Sequence, residues 1–303
     1  MDSITHIITG AVMSGPAKEK IGWTGAAALL IGSFMPDIDL VLGVFGNDFY
    51  FRYHRVITNS FLGMLLIPPL TALVIWKLSN YPDFKVIYLL VLTAYVPHVF
   101  MDFTNSYGCT FLWPLSRRWY ALDIVFIVDP WITGLLVIGL AMMLLKIRPM
   151  PVAIACFALL FCYWGLRAYT HSAAIGHFKS LEPAARVGAF PAPVNPFKWK
   201  VVSEYDNAFR AGWYNVITRQ WQDNVEYPKK PENEAVRKAK QAPNAKNFLE
   251  FARFPWISFE RAGDGWDVKI QDLRFSLKSS DKRFVAEVFV ADDGKILKDK
   301  FNF

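Results

Sequence analysis

The sequence predicts an α-helical integral membrane bundle of about four to six membrane helices, followed by a small α+β extramembrane domain. Three observations carry that expectation. Hydrophobic residues fill 53% of the 303 positions and the mean hydropathy is +0.23, too apolar for an ordinary water-soluble domain. Charge is uneven: residues 1–179 hold 12 Lys/Arg and 9 Asp/Glu, whereas 180–303 hold 21 and 17. Apolar runs long enough to cross a bilayer, which takes about 20 residues, fall in the first part. The division expected is a membrane-embedded domain at 1–178 and an extramembrane domain at 179–303.

The first elements are two Gly/Ala/Ser-rich pieces at 4–12 and 22–35. Small residues allow close helix contact in a membrane, so these read as short or half-inserted helices, with interfacial helices as the alternative. Full-length apolar runs follow at 57–76, 85–103 and 124–145, and a slightly shorter one at 152–169. If all six pieces cross or nearly cross, the acids sort themselves. Glu19 and Asp83 fall on one side, while Asp2, Asp37, Asp39, Asp48, Asp102, Asp123 and Asp129 gather at the other. Lys/Arg counts are nearly tied between the sides, but the Lys-rich short turns read as cytoplasmic. The acid-rich side and the C-terminal domain are therefore expected to be extracytoplasmic. The N-terminus lacks a basic n-region and a small-residue cleavage site, so no cleavable signal peptide is expected.

After about residue 180 comes a Pro-rich passage, "FPAPVNPFKW", and then segments of strand character: "KWKVVSEY", "FPWISFER", "WDVKIQDLRFSL" and "RFVAEVFVADDGKIL". "PENEAVRKAKQAPNAKNFLEFARF" reads as two helices divided by a Pro/Asn break. The net charge of +7 is spread among acids with no basic-aromatic stripe, so nucleic acid is not an expected partner. Three cysteines form neither a disulfide framework nor a CxxC pattern.

The chemistry-bearing residues lie in the first part. "SFMPDIDLVLG" places Asp37 and Asp39 two apart after Pro36, which stops the preceding helix and predicts an extended or turn geometry. "VPHVFMDFTNSYG" sets His98 and Asp102 one turn apart on one face of a spanning helix. That spacing suits a metal ion, usually zinc, and equally a self-contained His–Asp hydrogen bond. "MDSITHIITG" offers His6 four residues after Asp2, and "RYHRVITNS" offers His54 with Arg55. Charged groups at membrane depth are functional candidates by default. His6, Asp37, Asp39, His54, His98 and Asp102 make a thiol-free N/O set that fits zinc or a two-metal hydrolytic centre, with Mg or Mn as alternatives. Asp39 or Asp123 could act as base, Arg55 would neutralise developing charge, and Arg117 and Arg118 could hold an anionic group. His171 and His177 read mostly as linker or surface residues.

The order of these motifs, "DSITH", "PDID", "HRVITNS", "HVFMDFTNSYG" and "WPLSRRWYALDIVFIVDP", resembles the bacterial membrane-bound metal-dependent hydrolase family (YdjM/YbcI-like) over about residues 1–170. "DLRF" near residue 272 looks like the C-terminal extension of some members. The resemblance implies a multi-pass protein of the bacterial inner (plasma) membrane, distantly similar to zinc-dependent phospholipase C. It thereby implies zinc-dependent hydrolysis of a phosphoester, on a lipid or lipid-linked substrate. The chain departs from the family pattern at Asn59, where the motif has His: Asn59 could still ligate a metal through its amide oxygen, but as a poorer zinc ligand, which weakens one metal position, shifts the metal towards Mg or Mn, or impairs the site; alternatively it keeps a hydrogen bond that His made. A second expectation, from another class, is a non-catalytic lipid or metal carrier or scaffold, which would place polar residues on both sides of the midplane.

Overall fold

The computed structural model describes residues 1–183, 185–276 and 284–302, with the Asn47 side chain outside the description. Leu277 and Arg283, at the ends of two expected strands, lie outside the described residues. The chain divides into two compact units. The first is Met1–Leu42, Tyr53–Tyr169 and Pro191–Pro196; the second is Gly43–Arg52, Thr170–Phe190 and Phe197–Phe303.

In the first unit, α1 runs over Ser3–Ile21. Asp2 caps its N-terminus by accepting from Thr5 N–H at 3.0 Å, and Gly22, at φ 81, ends it. α2 (Trp23–Phe34) is Gly/Ala-rich and packs closely on α1: a Cβ added to Gly10 would stand 2.7 Å from the Ser33 Cβ. Pro36 does not open an extended segment. The helix instead tightens into a 3₁₀ segment, Met35–Phe45, so that Trp23–Phe45 is one apolar stretch of membrane length.

α4 (Phe61–Ser79) begins at Ser60, whose hydroxyl accepts from Gly63 N–H at 3.0 Å. The apolar run expected from 57 therefore starts helically only at 61, after an irregular passage that carries His54, Arg55 and Asn59. α5 (Phe84–Thr104) is capped by Asp83. α6 (Pro130–Leu144) is shorter than the expected 124–145, because Asp129 caps its start and Pro130 occupies its first turn. α7 (Pro149–Leu181) is longer than expected and continues through Arg167, His171 and His177. Among the described residues, four stretches are long and apolar enough to cross a membrane: Trp23–Phe45, Phe61–Ser79, Phe84–Thr104 and Pro149–Leu181. Large apolar side chains such as Leu78, Leu144 and Phe161 point outward, a surface suited to hydrocarbon rather than water.

The second unit holds two four-stranded sheets. One has the order β1 (Arg186–Pro191), β2 (Lys198–Glu204), β3 (Ala208–Asn215), β4 (Gln220–Pro228). The other has β5 (Pro255–Ala262), β6 (Gly265–Asp272), β7 (Val285–Ala291) and β8 (Ile296–Asn302), paired antiparallel. Between them in sequence come α8 (Glu234–Ala239) and α9 (Pro243–Phe251). Residues 43–52, expected in the membrane domain, belong to this unit. They include most of a short helix, α3 (Asn47–Tyr53). The reason is local packing: Phe51 lies against Phe248, Phe251 and Phe301, with ring centroids 4.2–6.2 Å away. The "DLRF" segment closes the same core. Arg274 bonds to the buried Asp272 at 2.7 Å and its guanidinium lies over Phe251 and Phe275.

Candidate metal centre

His6 comes from α1, Asp37 from the 3₁₀ segment and His98 from α5. Each is at most 1% exposed. One ligand atom from each lies within 4.8 Å of the other two, so these residues form a candidate metal-binding triad. The His6 and His98 rings stack, with centroids 3.5 Å apart and planes 15° apart.

Hydrogen bonds fix which nitrogen each ring presents. His98 Nδ1 lies 2.6 Å from the Ser33 carbonyl oxygen, which can only accept, so Nδ1 carries the proton. His98 Nε2 then faces Asp37 Oδ1 at 3.5 Å and Asp102 Oδ2 at 3.3 Å. In the His6 ring, Nε2 lies 3.1 Å from Asp102 Oδ1, which holds the proton there and leaves Nδ1 as acceptor. His6 Nδ1, Asp37 Oδ2 and His98 Nε2 have no hydrogen-bond partner among the described residues. Leaving such atoms buried and unpaired costs about 1–3 kcal/mol each. A second-site partner on each imidazole, carbonyl or carboxylate, is the usual companion of metal-ligating histidine.

Asp102 is a hub. It accepts from the N-terminal amine, from Arg55 Nη2 at 2.8 Å, from Asn59 Nδ2 at 2.6 Å and from His6. Asn59 thus turns its amide nitrogen to this carboxylate, while its oxygen accepts from the Thr58 hydroxyl at 3.1 Å.

The carboxylate pair expected to serve one centre separates. In a 3₁₀ turn, with about three residues per turn, side chains two apart point in different directions. Asp37 reaches His98, whereas Asp39 accepts from His54 Nδ1 at 2.9 Å, Arg55 N–H at 2.8 Å and Thr58 Oγ1 at 2.9 Å. Asp39 therefore shapes the 54–58 passage, where Arg55 takes a left-handed backbone at φ 58. Burial disfavours the charge on Arg55, but the carboxylates of Asp102 and Asp37 outweigh it and hold the guanidinium above its ordinary pKa.

The other expected residues lie elsewhere. Asp123 is buried after α5, at φ 59, between Leu122 and Ile124, whose N–H groups bond to the Phe103 and Thr104 carbonyls. Arg117 and Arg118 are exposed, the latter 5.7 Å from the Tyr120 ring centroid. Asp129 caps α6 and accepts from the Tyr163 hydroxyl at 3.0 Å. His171 bonds to the Ala189 carbonyl, and His177 stacks on Tyr214.

Sequence reasoning missed Ser33. Its hydroxyl donates to the His6 carbonyl at 2.6 Å and its own carbonyl holds the His98 ring, so one residue ties the main chain at His6 to the His98 imidazole. The available signal was its place at the end of a small-residue segment, just before the 3₁₀ turn.

The match to known families falls on the region that carries this geometry: the YdjM inner membrane protein family matches residues 1–174, more than half of the chain. The chain belongs to that family. Residues 234–303 separately match the YfhP C-terminal alpha/beta plait domain. A Bacillus subtilis (strain 168) relative, described as "Uncharacterized protein YfhP", is 27% identical over 306 residues, covering 97% of this chain and 92% of the relative. No solved structure matches. This YdjM family member is therefore a membrane protein whose candidate triad lies within the family-matched part of the chain.

Proposed function

We propose that this protein is a membrane-bound hydrolase dependent on a divalent metal, zinc first and Mg or Mn as alternatives, that cleaves a phosphoester of a lipid or lipid-linked substrate. One observation carries the reading. His98 gives its Nδ1 proton to the Ser33 carbonyl, so Nε2, the nitrogen that faces Asp37 Oδ1 and Asp102 Oδ2, is the one open to a second proton or to a cation. A cation there, held by His98, His6 and Asp37, would balance the buried carboxylates and give partners to side chains that carry unpaired atoms. Bound there, it supplies Lewis acidity and a water acidified to about neutral pH.

The protein's own groups do the rest. Ser33 and Asp102 fix the two imidazole tautomers. Arg55, a permanent cation, stands ready to neutralise charge that develops on a phosphoryl oxygen. Asp39 holds the Arg55 backbone and orients His54. Asp123 and Arg118 enter only if substrate reaches the 104–123 passage. We place the site at the extracytoplasmic face of the membrane.

The burial of all three ligands supports a second reading, a non-catalytic membrane scaffold or carrier with a structural metal. Elemental analysis of purified full-length protein, followed by a panel of phospholipids and phosphodiesters, separates the two. We expect bound zinc that is lost in His98→Ala, together with hydrolysis of at least one phosphodiester. Absence of any transition metal after supplementation rejects the metal site. Metal without turnover selects the scaffold.

A further inference from the structure

The second unit contains a cleft of about 320 Å³ whose lining comes from both of its sheets and from α9. Pro255, Ile257 and Phe259 alternate along β5 and so present one face of that strand to it. Leu249 of α9 and the buried Phe209 of β3 complete the apolar lining. Leu249, Pro255, Ile257 and Phe259 stay only half-buried, so apolar surface is left open there. Among the helices of the first unit such surface meets hydrocarbon, but in an extramembrane unit it meets water, and covering it is favourable.

Charge gathers at the same cleft, because Glu204, Lys229, Lys230, Glu232 and Lys240 also line it. Much of it cancels locally. Glu204 pairs with Lys229 at 2.9 Å and with Arg186 at 2.6 Å, and Glu232 pairs with Lys240. Lys230 is exposed, and among the described residues no carboxylate pairs with it. Two cations on Glu204 and the uncancelled Lys230 leave the surroundings of the cleft net positive. The Lys230 ammonium stands 5.8 Å from the Phe259 ring centroid, and that of Lys229 stands 4.5 Å from the Phe209 centroid. Positive charge is thus placed directly beside the apolar lining.

We infer that this cleft binds a single-chain anionic amphiphile, with its chain against Leu249, Ile257 and Phe259 and its anionic group at Lys230. The volume equals that of about ten waters at ~30 Å³ each, and a methylene is of about that size, so the chain has on the order of ten carbons. A purely polar anion would leave the apolar lining uncovered, and a neutral chain would leave Lys230 unanswered. The assignment is independent of the metal centre in the first unit.

The test is hydrogen–deuterium exchange of purified full-length protein in lipid nanodiscs, read on peptides covering 229–240 and 249–259. The probes are decanoate, decyl phosphate, decanol and acetate. We expect saturable protection of those peptides by decanoate or decyl phosphate, binding of decanol at least about threefold weaker, and no protection by acetate. Comparing the two anionic probes tells a fatty-acid carboxylate from a phosphate-bearing amphiphile. Lys230→Glu, at an exposed position, should weaken binding of the anionic probe at least about threefold with an unchanged unfolding midpoint. Ile257→Trp fills the cleft and should abolish the saturable protection; if it fails to fold, Lys230→Glu decides. Protection by neither anionic probe overturns the assignment, as does equal binding of decanol, or wild-type binding in either folded variant.

Discussion

Ser33 accepts a 2.6 Å hydrogen bond from His98 through its carbonyl, and through its hydroxyl donates one of 2.6 Å to the His6 carbonyl. A single residue on α2 therefore holds the α1 main chain at His6 and the His98 imidazole on α5. The contact is possible because Gly10 leaves room for it.

Removing the hydroxyl in Ser33→Ala should keep the His98 bond and loosen the α1 main chain at His6. We expect zinc affinity, measured by competition with a chelator, to fall by about tenfold, the lower end of the effect of losing an outer-shell partner. Gly10→Ala should act in the same direction and also destabilise the bundle by about 1–3 kcal/mol through overpacking. Unchanged zinc affinity in both variants would reduce Ser33 to a packing residue.

Asn59 donates to Asp102 through nitrogen, so it need not be a ligand. Asn59→His, which offers a ring N–H to the same carboxylate, is expected to leave metal content unchanged. Asn59→Leu withdraws a donor from a buried carboxylate and should cost about 1–3 kcal/mol in thermal or denaturant unfolding. A rise in metal content in Asn59→His would instead make position 59 a ligand.

The 54–58 passage depends on Asp39, which accepts three hydrogen bonds from it. Asp39→Ala should release the passage and so misplace the Arg55 guanidinium. Greater proteolytic cleavage between α3 and α4 is the expected readout, and wild-type protease resistance would contradict it.

The second unit makes a pH prediction. Burial pushes the Asp272 carboxyl up, but Arg274 beside it prevails and holds its pKa below the usual carboxylate range. A depressed folded pKa means stability that is present above the unfolded pKa, about 3.9, and is lost as pH falls through the folded value. Tryptophan fluorescence should show this unit loosening below about pH 4. Asp272→Ala, which strands a buried Arg274, should cost about 3–5 kcal/mol at neutral pH and flatten that acid dependence.

The site was partly legible in the sequence because helical spacing is. His98 and Asp102, four apart, had to share a face of α5, and apolar length alone marked that helix. Asp37 and Asp39 were read as a pair because Pro36 suggested an extended turn. The 3₁₀ winding that separates them depends on packing that no local pattern records. Ser33 escaped notice because it acts partly through its main-chain carbonyl, which every residue possesses. The move of residues 43–52 into the second unit is a tertiary event, driven by Phe51 finding three phenylalanines remote in sequence. The long α7 went unread because its polar end, with Thr170, Ser172, Gly176 and Ser180, has the composition of a linker.

The triad draws on residue 6, residue 37 and residue 98, of which the last two lie on stretches long and apolar enough for a bilayer to accept one at a time. Apolar helices can be fully inserted before they dock with one another. A freshly inserted chain would then have its hydrophobic topology in place and no site whatever. The two rings meet only when the first helix closes against the fifth, so binding of the proposed metal would report that step of assembly. A metal-sensitive probe on this chain would act as a clock for helix docking inside a living membrane.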